Sequence, residues 1–308
     1  MSLWQLFTLR ILDIKNKTKM GYEHIQNLYK DNSIMMFKEA YALEKIHGCS
    51  AHISWKYEQK EVRYFSGGED YSEFVKLFDI GFVKQKFIEI FPDKNVKIHG
   101  EAYGGTQQGM SKTYGDILKF IVFDVKVDGM YINVPNAEKV AKQFNLEFVD
   151  YVKIPCTIEA IEQEKMKDSV QAIRNGMGEG KIREGVVLRP LIELRKNNDE
   201  RIMCKHRRDE FSETKTPRLL TYADLKVLSD ADEVADEYVT NMRFQHVISK
   251  LPKELTIGIR QTKFVIEAMV EDVYREAKGE IIESKEVYNR IGKRTAELFR
   301  KHLGLDKP

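Results

Sequence analysis

The sequence predicts an α+β protein with a small all-α unit at its C-terminal end, and three observations carry that reading. Between residues 34 and 205, short runs rich in β-branched and aromatic residues alternate with glycine- and proline-marked turns. Helical spacing of apolar residues appears between several of those runs. After Thr216 the turn signals thin out and three stretches of helical periodicity follow, so the division is expected at 1–225 and 226–308. With 42% hydrophobic residues in 308, the chain can fill one large or two ordinary cores.

Taken in order, Gly21–Tyr29 is expected as a brief helix. Ile34–Trp55 and Val62–Phe65 have strand composition, with Glu58–Glu61 as a polar hairpin tip and Ser66-Gly67-Gly68 as a breaker. Asp70–Phe91 reads as one or two helices closed by Pro92, with Phe74, Leu77, Phe78, Phe87 and Ile90 at near-helical spacing. Val96–Tyr103 and Phe120–Val127 read as strands flanking a loop from Gly104 to Gly115. Asn136–Phe144 is a helix entered through Pro135, and Ile158–Ile173 is another, ending in the breakers of Asn175–Gly180. Gly185–Leu191 and Arg201–Lys205 return to strand composition. The C-terminal helices are expected near 230–250, 258–279 and 284–303. In the second, Ile266, Met269, Val270, Val273 and Ala277 form one apolar stripe; in the third, Ser284 is the N-cap candidate and Val287, Ile291 and Leu298 point inward.

Charged residues make up 32% of the chain but leave a net charge of only +2, so affinity for a polyanion has to come from a local basic face. Residues 181–226 carry 12 Lys and Arg against 8 Asp and Glu, a modest excess that fits a phosphate-tracking surface. The apolar start at Met1–Arg10 lacks a long apolar core and a small-residue cleavage site, and no run approaches a membrane span. A soluble, cytoplasmic monomer is expected. Three scattered cysteines, Cys49, Cys156 and Cys204, agree with a reducing compartment.

Lys45-Ile46-His47-Gly48, between two apolar runs, places an amine on a sharp turn between strands, where it can reach a bound ligand. A protonated lysine is a poor nucleophile, so attack on phosphorus needs desolvation or nearby positive charge. Gly48 lets the backbone come close to phosphates. His47, Cys49, His52, Cys204 and His206 are of zinc's preferred donor types, but His-x-Cys-x-x-His on a strand does not gather three on one side, and no zinc site is expected.

Five segments follow one another in a recognisable order: Glu44-Lys45-Ile46-His47-Gly48; His99-Gly100-Glu101-Ala102-Tyr103-Gly104; Phe120-Ile121-Val122-Phe123-Asp124; Arg183-Glu184-Gly185-Val186-Val187-Leu188-Arg189-Pro190; and Cys204-Lys205 with Phe211-Ser212-Glu213. Together they resemble the ordered motifs of covalent nucleotidyltransferases, the ATP-grasp-like ligase class of fold, and most closely the RNA-ligase-2-like group of ATP-dependent RNA ligases. The resemblance implies a nucleotidyltransferase domain of antiparallel sheets with flanking helices, followed by a helical domain. DNA ligases and mRNA capping enzymes commonly carry an OB-fold barrel there instead, and its short strands and turns are not visible after Thr216.

By the same resemblance, Lys45 attacks the α-phosphorus of ATP and holds AMP, His47 helps transfer AMP to the 5′ end, and Lys205 binds the α-phosphate. The positive charge of Lys205 would also lower the pKa of the nucleophile. Glu44, Ile46, Gly48, Glu101, Phe123, Glu184 and Lys205 form the nucleotide site, Phe123 by stacking on adenine, and Glu101 and Glu184 hold Mg²⁺. The partners implied are RNA ends or nicked duplex RNA, with an RNA–DNA hybrid as a further substrate form. An ATP-dependent DNA ligase and a non-catalytic nucleic-acid-binding homologue are the alternatives.

Three departures stand out. The last motif has Met203 where the family places a first lysine; strand alternation suggests Arg201, or else Arg207, as the replacement cation. Ser50 stands where an asparagine is usual. Phe65-Ser66-Gly67 lacks an expected arginine, for which Arg63 is the nearest substitute. The last two positions are associated with the 5′-phosphorylated end.

Overall fold

Strands β1 (Glu39–Lys45) and β2 (Cys49–Lys56) are joined by the Ile46–Gly48 turn yet enter different sheets, so that turn lies where the two sheets meet. The computed structural model describes residues 21–216, 230–251 and 258–305; the apolar start at Met1–Arg10 lies outside them. After β2 come β3 (Glu61–Phe65), α1 (Tyr71–Val75), α2 (Ile80–Ile90), β4 (Val96–Tyr103), α3 (Ser111–Tyr114), β5 (Lys119–Val127), β6 (Met130–Tyr131) and α4 (Val134–Gln143). Then follow β7 (Tyr151–Pro155), α5 (Ile158–Lys165), α6 (Val170–Arg174), β8 (Gly185–Pro190) and β9 (Cys204–Arg207). Four helices complete the described chain: α7 (Ala231–Tyr238), α8 (Asn241–Ser249), α9 (Thr262–Glu276) and α10 (Lys285–His302).

Both sheets are antiparallel, in the orders β3-β2-β4-β5-β6 and β7-β1-β8-β9. Alternation along β2 sends Ala51, Ile53 and Trp55 into the main core, where Trp55 stacks on Phe87 of α2 with centroids 5.6 Å apart. Ser50, His52 and Ser54 point to the opposite face. The helical layer has its own apolar cluster, with Val265, Met269, Val273, Val287, Ile291 and Phe299 buried. Ser284 caps α10 by accepting from the Val287 amide. The α+β architecture with antiparallel sheets and C-terminal helices is as the sequence predicts, and no helix among the described residues is long and apolar enough to cross a membrane.

Several elements differ from expectation. Gly21–Tyr29 is not helical: the Leu28 amide donates to the Lys205 carbonyl at 2.9 Å and the Lys205 amide to the Gln26 carbonyl at 2.8 Å. Edge strand β9 carries unpaired backbone groups, and this segment satisfies them. The single helix expected over Ile158–Ile173 is α5 and α6, because Ser169 caps the second by accepting from the Ala172 amide while Asp168 bridges to Ile182. Tyr151–Pro155 is an unforeseen edge strand whose exposed Val152 and Lys153 disguise the alternation. Arg201 lies outside β9, in a bridge to Arg195. Residues 230–250 form two helices, since Thr240 caps α8 by accepting from the Arg243 amide.

Candidate active site

The register of β1 on β8 pairs Lys45 with Gly185, which brings the nucleophile candidate beside Glu184. Lys45 Nζ lies 2.8 Å from Glu184 Oε2, and His47 Nδ1 lies 3.0 Å from the same oxygen. One carboxylate therefore orients both residues. Glu184 is buried, which by itself would raise its pKa; the charges of Lys45, His47 and Arg207 outweigh that and hold it well below the usual carboxylate range. The His47 ring also meets the edge of Phe211 at 5.1 Å, and its amide donates to the Tyr114 hydroxyl at 3.4 Å.

Gly48 also meets a packing constraint. A Cβ there would collide with the Ala102 carbonyl of β4 and lie 3.0 Å from Glu101 Cγ. The missing side chain lets β4 pass against the turn and deliver Glu101 to it. Burial lifts Glu101 to about 7 despite the attraction of Lys45, with Glu184 adding to the rise.

Lys205 of β9 is buried, with Nζ 3.3 and 3.4 Å from the two carboxylate oxygens of Glu276 on α9. Burial pushes its ammonium down to about 8; Glu276 and Glu213 oppose the fall, while Arg207 and Lys45 add to it. Arg207, two residues on, pairs with Glu213, which also lies 2.8 Å from His246 Nδ1 and 3.4 Å from Arg243. Arg243 in turn pairs with Asp272 at 2.8 Å. A cavity of about 280 Å³ opens here, lined among others by Lys165, His206, Arg207, Arg208 and Glu276. The helical layer is thus tied to the lysine and arginine of β9 by buried charges.

Lys45 and His47 meet at the Glu184 carboxylate, and the charge of Lys45 acts on both Glu101 and Lys205. Phe123 is the extra residue of a β-bulge, since β5 shifts register opposite His99 and Gly100, and bulges re-aim side chains. Its half-buried ring meets Tyr22 edge-on at 4.8 Å. Two expected contacts need correction. The Glu44 carboxylate is buried on the N-terminus of α6, accepting from Ser169 Oγ at 2.5 Å and from the Val170 and Gln171 amides at 3.0 and 3.2 Å. Such a cap contributes about 1 kcal/mol and leaves only the main chain of Glu44 for a nucleotide. Ile46 likewise sends its side chain into the core.

Arg201 is not beside Lys205; its guanidinium donates to the Tyr22 hydroxyl at 2.5 Å. It pairs with Asp124 at 2.7 Å and Glu193 at 2.7 Å, beside Arg189, which holds the other Asp124 oxygen at 3.0 Å. Asp124 is fully buried, so this cluster locks β5 of one sheet to β8 of the other. Of the two replacement cations considered, Arg207 is the one near Glu184 and Lys205, and Glu213 already neutralises it. Arg63 is exposed and bound to Glu61 at 2.6 Å. The zinc-type residues go separate ways: His47 to Glu184, Cys49 to Gln107, His52 onto Phe65 and His206 to Glu162. All three cysteines are buried and unpaired.

Sequence reasoning missed Tyr22, Glu213 as a charge partner, and Glu276. The last had a signal: it stands three residues after Val273 and one before Ala277, on the buried side of the α9 stripe. The donor set suits a phosphorylated nucleotide with Mg²⁺, which is bound through one or two carboxylates plus phosphates and water rather than by a full protein cage. Glu101 and Glu184 are two carboxylates that could hold such a metal, and Lys45 and Lys205 are two cations that could meet phosphate.

A family model described as RNA ligase matches residues 38–206. Among solved structures, the chain is similar to an RNA ligase from Naegleria gruberi. A mutant of that protein with ATP and Mn is 16% identical, covering 61% of this chain and 56% of that one, with a TM-score of 0.47. The same ligase with pyrophosphate gives 16%, 61%, 56% and 0.45, and a mutant with AMP and Mn gives 15%, 61%, 56% and 0.46. The chain therefore spans a little over half of those solved chains. No curated protein matches it. The family match runs from the start of β1 almost to the end of β9, across more than half of the 308 residues, and the chain belongs to the RNA ligase family.

Proposed function

We propose that the protein is an ATP- and Mg²⁺-dependent RNA ligase that joins 3′-hydroxyl and 5′-phosphate ends through a lysyl-AMP intermediate. The observation that carries this reading is Glu184 holding both Lys45, at 2.8 Å, and His47, at 3.0 Å, in a site that also contains Glu101 and Lys205. Lys45, once it has given up a proton, attacks the α-phosphorus of ATP; the α–β anhydride breaks, pyrophosphate leaves, and a P–N bond forms. A 5′-phosphate oxygen of RNA then attacks the same phosphorus, the P–N bond breaks, and Lys45 is regenerated. Finally the 3′-hydroxyl attacks the RNA 5′-phosphorus, losing its proton, and AMP leaves.

Phosphoryl transfer asks the protein mainly for position and charge. Glu184 orients the nucleophile, His47 stands next to it for AMP transfer, and Lys205 stabilises charge developing on the α-phosphate. Phe123, re-aimed by its bulge, offers a ring for adenine. Mg²⁺ on Glu101 and Glu184 would neutralise phosphate charge. Residues 1–225 form the adenylyltransferase domain and 226–308 the helical domain, a division supported by the separate apolar cluster of α7–α10. The buried, unpaired cysteines fit a reducing cytoplasmic setting.

The test is sealing of a nicked duplex with a 5′-phosphate and a 3′-terminal ribonucleotide, beside the all-DNA nick. Phosphatase-resistant product from the ribonucleotide nick is expected. Sealing of the DNA nick alone would favour a DNA ligase, and sealing of neither a binding protein.

A further inference from the structure

The C-terminal end of α8 rests against the turn that carries the nucleophile. Gln108 Nε2 donates to Ser249 Oγ at 2.6 Å and reaches the Gly48 carbonyl at 3.4 Å. The Cys49 thiol lies 4.0 Å from the Ser249 carbonyl. Gly68 has no side chain where one would strike the Ser249 carbonyl and lie 3.2 Å from Lys250 Cα. The neighbouring Gly67 is packed just as closely on the Ser50 carbonyl, and Ser50 pairs with Glu101 across β2 and β4. A chain of close contacts therefore sets Lys250 at the rim of the site, on the Glu101 side.

The charges there make Lys250 unusual. Lys45 is held by Glu184, Lys205 by Glu276, Arg207 by Glu213 and Arg201 by Asp124 and Glu193. Lys250 is 46% exposed and only loosely paired, 3.7 Å from Asp272, which keeps Arg243 and Arg275 as partners if Lys250 swings away. Arg63 of β3 is exposed and bound to Glu61. The field of the Lys250 ammonium nevertheless reaches the site, lowering both Glu101 and Cys49 against their burial. A lysine on a flexible four-carbon stem at the mouth of an anion site can meet an arriving phosphate.

We propose that Lys250, presented by the helical layer, is a phosphate-binding residue of this site. This rests on the ligase reading above. The phosphate has two sources, the triphosphate of ATP or the 5′-phosphate of the RNA end, and two assays separate them. One measures self-adenylation of the full chain against ATP concentration. The other measures AMP transfer from preformed enzyme adenylate to a 5′-phosphorylated RNA.

Lys250→Ala is expected to weaken one arm by about 10–100-fold, the loss of one charge-assisted phosphate contact, while Lys250→Arg keeps most of the activity. A loss in the ATP arm assigns Lys250 to the triphosphate, and a loss in the transfer arm assigns it to the RNA 5′-phosphate. Parental values in both arms, or an equal loss in the Arg variant, would overturn the proposal. Lys250 is exposed at a helix end, so its unfolding temperature should stay near that of the parent. Failure of the parent itself to acquire AMP would count against the ligase reading and not against Lys250.

Discussion

Glu184→Gln lowers the rate at which Lys45 acquires AMP by about 10²–10³-fold at saturating ATP and Mg²⁺, the scale seen when one preorganised charged group is removed from an active site. Glu184 accepts from Lys45 and lies 3.0 Å from His47, and its side chain is only 2% exposed. A glutamine keeps the shape but removes the negative charge that lies among Lys45, His47 and Arg207. Lys45 and Arg207 then lose the anion between them and, in the proposed mechanism, the amine loses its fixed direction toward phosphorus and one of the two carboxylates for Mg²⁺ is gone. The measurement is single-turnover AMP incorporation, with thermal unfolding followed in parallel because breaking a buried charge pair also costs stability. Parental incorporation by a folded Glu184→Gln protein would show that this carboxylate does not orient the reaction.

Lys205→Met is the second large effect, expected at about 10²-fold or more on the same rate, since a fixed cation at the α-phosphate acts in the transition state. Its pH dependence is specific. In the proposed mechanism Lys205 binds phosphate only while protonated, and burial has brought its ammonium down to about 8, so adenylation is expected to fall as pH rises through about 8. Glu101, lifted to about 7, must ionise to hold a metal or accept from a ribose, so adenylation climbs as pH rises through about 7. A narrow bell results. Glu276→Gln removes the partner that opposes the fall of Lys205 and moves the alkaline limb to lower pH. Stability runs the other way above pH 8. The folded value of Lys205 lies below its ordinary 10.5, so the cost of burying its charge is fully present below about pH 8 and is relieved as pH rises toward 10.5. An alkaline limb that stays in place in Glu276→Gln would contradict the link between α9 and Lys205.

Much of this site was legible because its residues sit at strand ends marked by glycine. Lys45 precedes the turn that ends at Gly48, Glu184 precedes Gly185, and Glu101 lies between Gly100 and Gly104. Antiparallel pairing does the rest: β1 on β8 sets Lys45 against Gly185, and β8 on β9 sets Val187 against Lys205. The illegible parts depend on side chains distant in sequence. Strand alternation puts Arg201 on the face of Lys205, but the strand begins at Cys204, and Asp124, 77 residues away, draws the guanidinium into a buried cluster. Glu44 precedes the nucleophile and reads as part of its motif, yet alternation along β1 turns it to the capping site on α6. Glu276 lies 71 residues from Lys205 on a helix that the sequence assigns to another layer. Gly21–Tyr29 has no strand signature because it follows the free edge of β9 through backbone hydrogen bonds that any side chains permit.

The most direct test of the account is the intact mass of the protein after incubation with ATP and Mg²⁺, for the parent and for Lys45→Ala, followed by peptide mapping. The account predicts a gain of one AMP on the parent, mapped to the peptide containing Lys45, and no gain on the variant. A parent that is folded and free of AMP at the start yet gains none, or an adduct that persists in Lys45→Ala, would contradict it.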